Sequence, residues 1–249
     1  MATGSIDLNA DVGEGAAGDD VVLGQVTSAS VACGVHAGDI DTMRRTVETA
    51  ARHGVVIGAH PSYPDREGFG RRRMDIAPAR ITEEVLSQLS VLVAVAEECG
   101  TRVRYVKPHG ALYLRMAHDE ACARAVAAAV IQSGNLVLLA PAGTGAVEVA
   151  GSMGVTVATE AFADRAYTRH GRLVPRTEQG AVLEDPVEVT RRATTIALDH
   201  RVTAIDGTLV ELVASSICVH GDTPGAAGMA RRVRVALEGL GITLRPFAV

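Results

Sequence analysis

The chain has 249 residues, a formal net charge of −5, 47% hydrophobic and 21% charged residues, which is the balance of a globular protein rather than a disordered one. Its apolar runs are far shorter than the roughly 20 residues that cross a bilayer, so we expect no membrane partner. The acidic balance and the 3% aromatic content argue against a nucleic-acid partner. The first residues lack a basic and apolar leader, which predicts a cytoplasmic protein.

Short β-rich runs alternate with helical segments along the chain. The predicted strands are 5–10, 29–32, 55–59, 103–106, 136–140, 156–160 and 216–219. The predicted helices are one around 43–51 that ends at Gly54, one around 85–96 that ends at Gly100, and 120–132, 146–153, 186–199 and 226–240. Continuously apolar strands that alternate with helices are typical of a parallel sheet buried on both faces, so the sequence predicts an α/β fold.

The connections decide between an open sheet and a closed barrel. Gly13, Gly15 and Gly18 match the spacing of a dinucleotide-binding turn, but Asp11 and Glu14 would repel a pyrophosphate there, and the chain has no P-loop. Polar groups instead follow nearly every strand, which is typical of a barrel whose loops build one site at the C-terminal ends of the strands. We therefore predict one domain, residues 1–249, folded as a (β/α) barrel of about seven strands, with an excursion and a short hairpin in 168–180.

The first strand carries three oxygen-bearing side chains, Asp7, Asn9 and Asp11, at alternate positions. Because alternate residues of a strand face the same way, these groups point together. Carboxylates crowded at a strand end need a metal, a cation or a shared proton to offset their repulsion. Asp11 could alternatively cap a turn, so its role is left open at this stage.

Four histidines come just after four different strands: His36, His60, His109 and His220. Lys107, the single lysine of the chain, also follows a strand, and a compact ammonium can serve as a point charge or a base. The loop 62–72 is rich in Gly, Pro and charge and is expected to cover a site. We predict that these groups converge with Asp11 and Glu160 at one end of the barrel and form the pocket of an enzyme.

Two chemistries fit this inventory. Histidine and aspartate ligands from different strands, with Asp11, His36 and His60 as candidates, could hold a divalent metal that activates water. Alternatively, Lys107 and the carboxylates could act without a metal as acids, bases and anchors for an anionic substrate. Ligands from separate strands leave no local spacing signature, so the sequence does not choose between the two.

Seven motifs in order resemble the LamB/YcsF family: DLNADVGEG (7–15), TSASVACGVHAGD (27–39), HPSYPD (60–65), KPHGALY (107–113), FADRAY (162–167), LVPR (173–176) and CVHGDTPG (218–225). They span nearly the whole chain. The resemblance implies a barrel related to the glycoside hydrolase/deacetylase superfamily. It also implies an ATP-dependent 5-oxoprolinase reaction, in which 5-oxo-L-proline gives L-glutamate while ATP gives ADP and phosphate, with this chain as the A component beside subunits B and C. Departures from the family's usual residues occur at Ser30, Ile40 and Ala16-Ala17.

The implied reaction needs ATP as co-substrate, together with Mg²⁺, while a protein-bound metal stays undetermined. The expected catalytic residues are Asp11, His60, Lys107 and Glu160, and the expected substrate-binding residues are Asn9, His36, Arg71, Arg72, His109 and His220. Since the chain has no recognisable phosphate cradle, we expect it not to hydrolyse ATP alone. The alternative functions are a metal-dependent carbohydrate deacetylase-like hydrolase and a non-catalytic regulatory component of a complex.

Overall fold

The computed structural model describes residues 4–16, 18–134, 136–220 and 225–249. The strands are β1 (Ser5–Val12), β2 (Ser28–Ala32), β3 (Val56–His60), β4 (Val103–Val106), β5 (Val137–Pro141), β6 (Val157–Phe162), β7 (Arg201–Thr203), β8 (Leu209–Glu211), β9 (Ser216–Cys218) and β10 (Thr243–Leu244). The helices are α1 (Asp19–Leu23), α2 (Ile40–Arg52), α3 (Pro78–Glu98), α4 (Gly110–Met116), α5 (Glu120–Gln132), α6 (Gly145–Ser152), α7 (Pro186–Asp199) and α8 (Ala226–Gly239).

Seven parallel strands close into a barrel in the order β1, β2, β3, β4, β5, β6, β9 and back to β1. The predicted α/β barrel of about seven strands is therefore confirmed. The major hydrophobic core lies between the outer faces of the strands and the surrounding helices, for example Leu8 of β1 and Val47 of α2. Residues 221–224 of the CVHGDTPG motif, and Ala17, one of the departures from the family's usual residues, lie outside the described residues.

The structure adds five elements that periodicity did not indicate: α1, α4, the antiparallel strands β7 and β8, and β10. Each is only two to seven residues long, which is too short to show a helical or strand period. The expected hairpin in 168–180 takes the form of isolated antiparallel bridges, one of which joins Tyr167 to Leu173.

The lower end of the barrel interior, toward the N-terminal ends of the strands, is filled by an apolar cluster around Tyr105, with Leu139 and Ala158. The Tyr105 ring lies over Gly58, where an added Cβ would stand 2.2 Å from the ring, so only glycine fits there. After β10 pairs with β1, the C-terminal segment places Phe247 against Tyr105, with ring centroids 4.9 Å apart. This end of the interior is packed. Within the described part of the chain, the helices are too short or too polar to cross a membrane.

Candidate active site at the C-terminal ends of the strands

A cavity of about 430 Å³ opens at the opposite end of the barrel, where the strands end at their C-termini. Of the predicted site residues, those that line it are Asp11, His60, Arg71, Lys107, His109 and His220. Asn9 and Glu160 lie one contact behind it, against Lys107. His36 packs behind His109, with the two rings stacked at 3.9 Å. Arg72 does not reach the cavity: its side chain is 63% exposed and pairs with Asp65 and Glu67.

Lys107 is the positive centre of the site, and its side chain is only 2% exposed. Its Nζ donates to Asp11 Oδ1 at 2.9 Å and forms an ion pair with Glu160 Oε1 at 2.8 Å. Burial disfavours the charge, but the Asp11, Cys218 and Glu160 side chains more than offset this and raise the pKa of Lys107 well above its ordinary value. Lys107 is therefore held as an ammonium, which makes it a fixed point charge and not a base.

Glu160 is locked by hydrogen bonds on both of its oxygens. Asn9 Nδ2 donates to Oε1 at 2.8 Å, and the Tyr113 hydroxyl donates to Oε2 at 2.7 Å. Asn9 Oδ1 in turn accepts from Lys107 Nζ at 3.3 Å. A carboxylate whose acceptor positions are filled in this way positions its neighbours, so the geometry favours a positioning role for Glu160.

His60 is oriented by a backbone carbonyl. Its Nδ1 donates to the Lys107 carbonyl oxygen at 2.7 Å, so Nε2 points toward Asp11 Oδ2, 3.4 Å away. Burial lowers the pKa of His60, but the Asp11 carboxylate outweighs it and the net shift is upward. Conversely, burial raises the pKa of Asp11, but His60 and Lys107 hold it well below its usual range. Asp11 is thus an ionised link between an imidazole and an ammonium.

Glu14 was missed as a site residue by sequence reasoning, although it stands two residues beyond β1. Its Oε1 lies 3.0 Å from His36 Nε2 and 3.2 Å from His109 Nδ1. The loops after β1 and β2 touch at Gly13 and Gly38, where an added Cβ on Gly38 would meet the Gly13 carbonyl oxygen at 2.6 Å. This glycine contact brings Glu14 to the histidines, and no spacing in the sequence reveals it.

His220, which lines the cavity, forms a second imidazole–carboxylate pair with Asp164. Asp164 is fully buried and accepts both the backbone N–H and the Nδ1–H of His220 at 2.9 Å. The pairing leaves Nε2 as the ring nitrogen that can exchange a proton with a ligand in the cavity. Phe162 stacks on the His220 ring at 5.1 Å, which fixes its plane. The position of Asp164 just after β6 was the signal that could have identified it.

Three arginines also line the cavity: Arg71, Arg165 and Arg176. Arg165 is buried and donates to the Val174 and Ala181 carbonyl oxygens at 2.6 and 3.2 Å. Burial lowers the pKa of Arg165 to about 10, so this side chain stays positive at neutral pH. Arg165 and Arg176 were not predicted as site residues, because their approach depends on the path of the 168–180 excursion.

The loop 62–72 covers the histidines, in agreement with its expected position. Asp65 braces it by accepting from the backbone N–H groups of Gly68 and Arg72 at 2.9 and 3.1 Å. Phe69 has a positive φ of 55°, which is unusual for a side chain of this size. That conformation aims the Phe69 carbonyl oxygen at His109 Nε2, which donates to it at 2.9 Å.

A closed parallel barrel with an ionisable cavity at the C-terminal ends of its strands is the arrangement in which barrel enzymes build their active sites. The family 4 carbohydrate esterase from Streptomyces lividans in complex with acetate shares the fold, with a TM-score of 0.51 and 10% identity over 97% of this chain and 91% of that one. The present chain belongs to the LamB/YcsF family, whose model matches residues 6–249.

Two relatives cover nearly the full length of the chain. A protein of Streptomyces griseus, named as the A subunit of 5-oxoprolinase, is 51% identical over 98% of this chain and 100% of its own length. The crystal structure of the lactam utilization protein from Thermus thermophilus is 41% identical and superposes with a TM-score of 0.91, covering 98% of this chain and 100% of that one.

Proposed function

We propose that the chain is the A component of an ATP-dependent 5-oxoprolinase that converts 5-oxo-L-proline to L-glutamate while ATP is converted to ADP and phosphate. The family membership and the full-length similarity to a protein of that name support this proposal. The structural observation that carries it is one cavity with a fixed ammonium, an imidazole backed by a buried carboxylate, and guanidinium groups.

The substrate is a small lactam with one carboxylate. A cavity of about 430 Å³ holds such a molecule with room for water. Arg71, Arg165 and Arg176 line the cavity and suit a carboxylate, which arginine can bind through two parallel N–H bonds. The lactam carbonyl then faces the wall of Lys107 and His220.

The reaction needs both a base and a positive centre. ATP first converts the lactam oxygen into a phosphorylated group, so that water can add to the carbonyl carbon. The water oxygen bonds to that carbon, the ring C–N bond breaks, and the ring nitrogen takes up a proton. A second water then converts the resulting acyl phosphate to glutamate and phosphate. His220, held by Asp164, is suited to accept the water proton, and the Lys107 ammonium is suited to stabilise the developing negative charge.

ATP is assigned to the partner proteins, subunits B and C. The sequence lacks a glycine-rich phosphate cradle with its lysine. In this proposal subunits B and C bind ATP with Mg²⁺ and activate the lactam, and this chain supplies the cavity where the ring opens. The four cysteines are unpaired, which suits a reducing cytoplasm.

The test is reconstitution of the chain with subunits B and C, followed by assay of ATP-dependent glutamate release. His220→Asn should lower the turnover of the complex about 100-fold or more, because a proton acceptor is lost. Arg72→Ala is the matched control and should change turnover by less than about twofold, since Arg72 lies outside the cavity. Glutamate release by the chain without partners, or an unchanged rate in His220→Asn, would contradict the proposal.

A metal-dependent amide hydrolase is the second candidate, and the convergence of Glu14, His36 and His109 favours it. Turnover of an acetylated sugar by the isolated chain with a divalent metal would support that activity. A non-catalytic regulatory role, the third function considered, predicts that complexes with Lys107 or His60 replaced keep their full rate.

A further inference from the structure

Three side chains from three different strand ends bring their donor atoms to one point. Glu14 follows β1, His36 follows β2, and His109 lies three residues beyond β4. Their ligand atoms all lie within 4.8 Å of one another, and Glu14 Oε1 is 3.0 and 3.2 Å from the two histidine nitrogens. From this juxtaposition we propose that Glu14, His36 and His109 bind one divalent transition-metal ion.

Two of the three donor separations match those of a coordination shell. Metal–ligand distances of about 2.0–2.1 Å in a tetrahedral site place neighbouring donors about 3.3 Å apart. The separations of Glu14 Oε1 from His36 Nε2 and His109 Nδ1 lie close to this value. Binding of an ion would also require the stacked His36 and His109 rings, whose centroids lie 3.9 Å apart, to tilt so that both lone pairs meet it.

The ligand orientations are fixed by groups outside the cluster. His109 Nε2 donates to the Phe69 carbonyl oxygen at 2.9 Å, so its Nδ1 carries the lone pair, and this atom lies 2.9 Å from His60 Nε2 and 3.2 Å from Glu14 Oε1. Such a second hydrogen bond on the far nitrogen is characteristic of metal-binding histidines. Arg66 donates to the Gly34 and Gly38 carbonyl oxygens at 2.9 and 3.0 Å, which fixes the loop that carries His36.

The His36 ring has a polar contact among the described residues at only one of its two nitrogens. Its Nδ1 is buried without a hydrogen-bond partner among the described residues, and only Nε2 has a polar contact, to Glu14. Nε2 is therefore the ring nitrogen of His36 that would bind the metal.

The cluster has an open side. Glu14 and His109 line the cavity while His36 lies behind them, so a fourth position faces His60 and the cavity space. His60 Nε2 lies beside that position, 3.8 Å from Glu14 Oε1 and 2.9 Å from His109 Nδ1. Three protein ligands with an open fourth position are typical of catalytic zinc sites and not of structural ones. The bound ion would supply a Lewis acid at the edge of the cavity.

The donor set selects the class of metal. Two imidazole nitrogens and one carboxylate suit Zn²⁺ and its first-row neighbours, whereas Mg²⁺ and Ca²⁺ prefer oxygen ligands. The site is thus distinct in chemistry from the Mg²⁺ that accompanies ATP. It does not depend on the proposed reaction, because the test below contains neither ATP nor 5-oxoproline.

The experiment is calorimetric titration of the full chain, stripped with a chelator, with ZnCl₂. We expect one equivalent of Zn²⁺ to bind. Glu14→Gln and His109→Gln, which keep similar size, should each weaken binding by more than the roughly 10–100-fold that loss of an outer-shell partner costs. His53→Gln replaces an exposed histidine elsewhere and should bind as the parent chain does. Circular dichroism confirms that each variant is folded before it is titrated.

A second probe reads the ligand field directly. Co²⁺ in a four-coordinate site with nitrogen and oxygen donors should give visible absorption in the parent chain and in His53→Gln, but not in Glu14→Gln or His109→Gln. The inference is overturned if the folded parent chain binds no stoichiometric Zn²⁺, or if both folded ligand variants bind as tightly as the parent. Loss of binding in His53→Gln would equally place the metal elsewhere.

Discussion

The two ends of the barrel interior are built from the same strands but carry opposite chemistry. β4 places Tyr105 in the apolar cluster at the lower end, and Lys107, two residues further along, is in the charged site. β6 does the same with Ala158 and Glu160. Residues two apart on a strand face the same side, so the interior is divided into two layers. The lower layer is the packed apolar cluster around Tyr105, and the upper layer is the charged site around Lys107.

Asp7 marks the boundary between the two layers. It is fully buried in β1 and accepts hydrogen bonds from Ser28 at 2.6 Å, from Thr27 at 2.7 Å, and from Ser216. Burial raises its pKa from 3.8 to about 6, although these hydroxyl groups lower it. Buried charges in the upper layer are therefore stabilised by opposite charges. The buried Asp7 carboxyl group at the boundary is stabilised by hydroxyl donors instead.

The largest expected effect is that of Lys107→Met, in the upper layer. It leaves Asp11 and Glu160 buried without their cation, so we expect the free energy of unfolding to fall by about 3–5 kcal/mol. Turnover of the complex with subunits B and C should fall about 30-fold or more. Lys107→Arg should fail nearly as badly, because a planar fork does not fit between the two carboxylates.

Denaturant unfolding and glutamate release are measured on the same Lys107 preparations. Full activity in a folded Lys107→Met complex would show that the upper layer is structural only.

Asp7 gives a pH-dependent prediction. Because its folded pKa of about 6 exceeds the ordinary 3.8, the folded state binds this proton more tightly. The Asp7 contribution is complete below pH 4 and is lost as the pH rises through 6, by about 3 kcal/mol in total. Relative to the parent chain, Asp7→Asn should therefore gain stability over this range. Denaturant unfolding of both chains at pH 4, 5, 6 and 7 measures the difference, and a flat difference would refute the boundary assignment.

Gly58→Ala tests the packed layer. The new Cβ would stand 2.2 Å from the Tyr105 ring, so the variant should lose about 1–3 kcal/mol of stability through overpacking. Gly145→Ala is the matched control, because an added Cβ there has no atom within 4 Å and its φ is not positive. Its stability should stay within about 0.5 kcal/mol of the parent value. Equal unfolding midpoints for the two variants would mean that the lower layer is not tightly packed.

The smallest effect is expected for Phe247→Ala. The half-buried ring loses its edge contact with Tyr105, which should cost about 1–2 kcal/mol. Turnover of the folded complex should be unchanged, since Phe247 lies at the far end of the barrel from the cavity. A fall in turnover larger than the fall in folded fraction would show that the two layers are coupled.

The sequence predicted the barrel well because its strands are short apolar runs separated by long helices. β4, α5 and α7 were predicted with their observed bounds, and the other barrel strands were predicted to within two residues. The convergence of Asp11, His60, Lys107 and His109 followed from a simple rule, namely that parallel strands end on one side. Elements such as β10, which is two residues long, carried no period to detect.

The sequence predicted the site residues that lie at the ends of strands, but not those that loops bring to the cavity. Glu14 joins the histidines through the contact of Gly13 with Gly38, and Arg165 lines the cavity through bonds to the 168–180 excursion and its border. Arg72 was expected at the substrate but points to solvent, because Asp65 fixes its backbone and its side chain pairs with acidic groups outside. Such outcomes depend on loop paths, for which periodicity holds no information.

The division of the barrel interior into a packed layer and a charged layer is tested most directly by a crystal structure of the chain crystallised with 5-oxoproline. The account predicts one molecule in the cavity of the upper layer, with its carboxylate within hydrogen-bond distance of a wall arginine and its carbonyl carbon facing His220 and Lys107. A molecule bound elsewhere, or a cavity that stays free of 5-oxoproline at saturating concentration, would contradict the assignment of the chemistry to this end of the barrel.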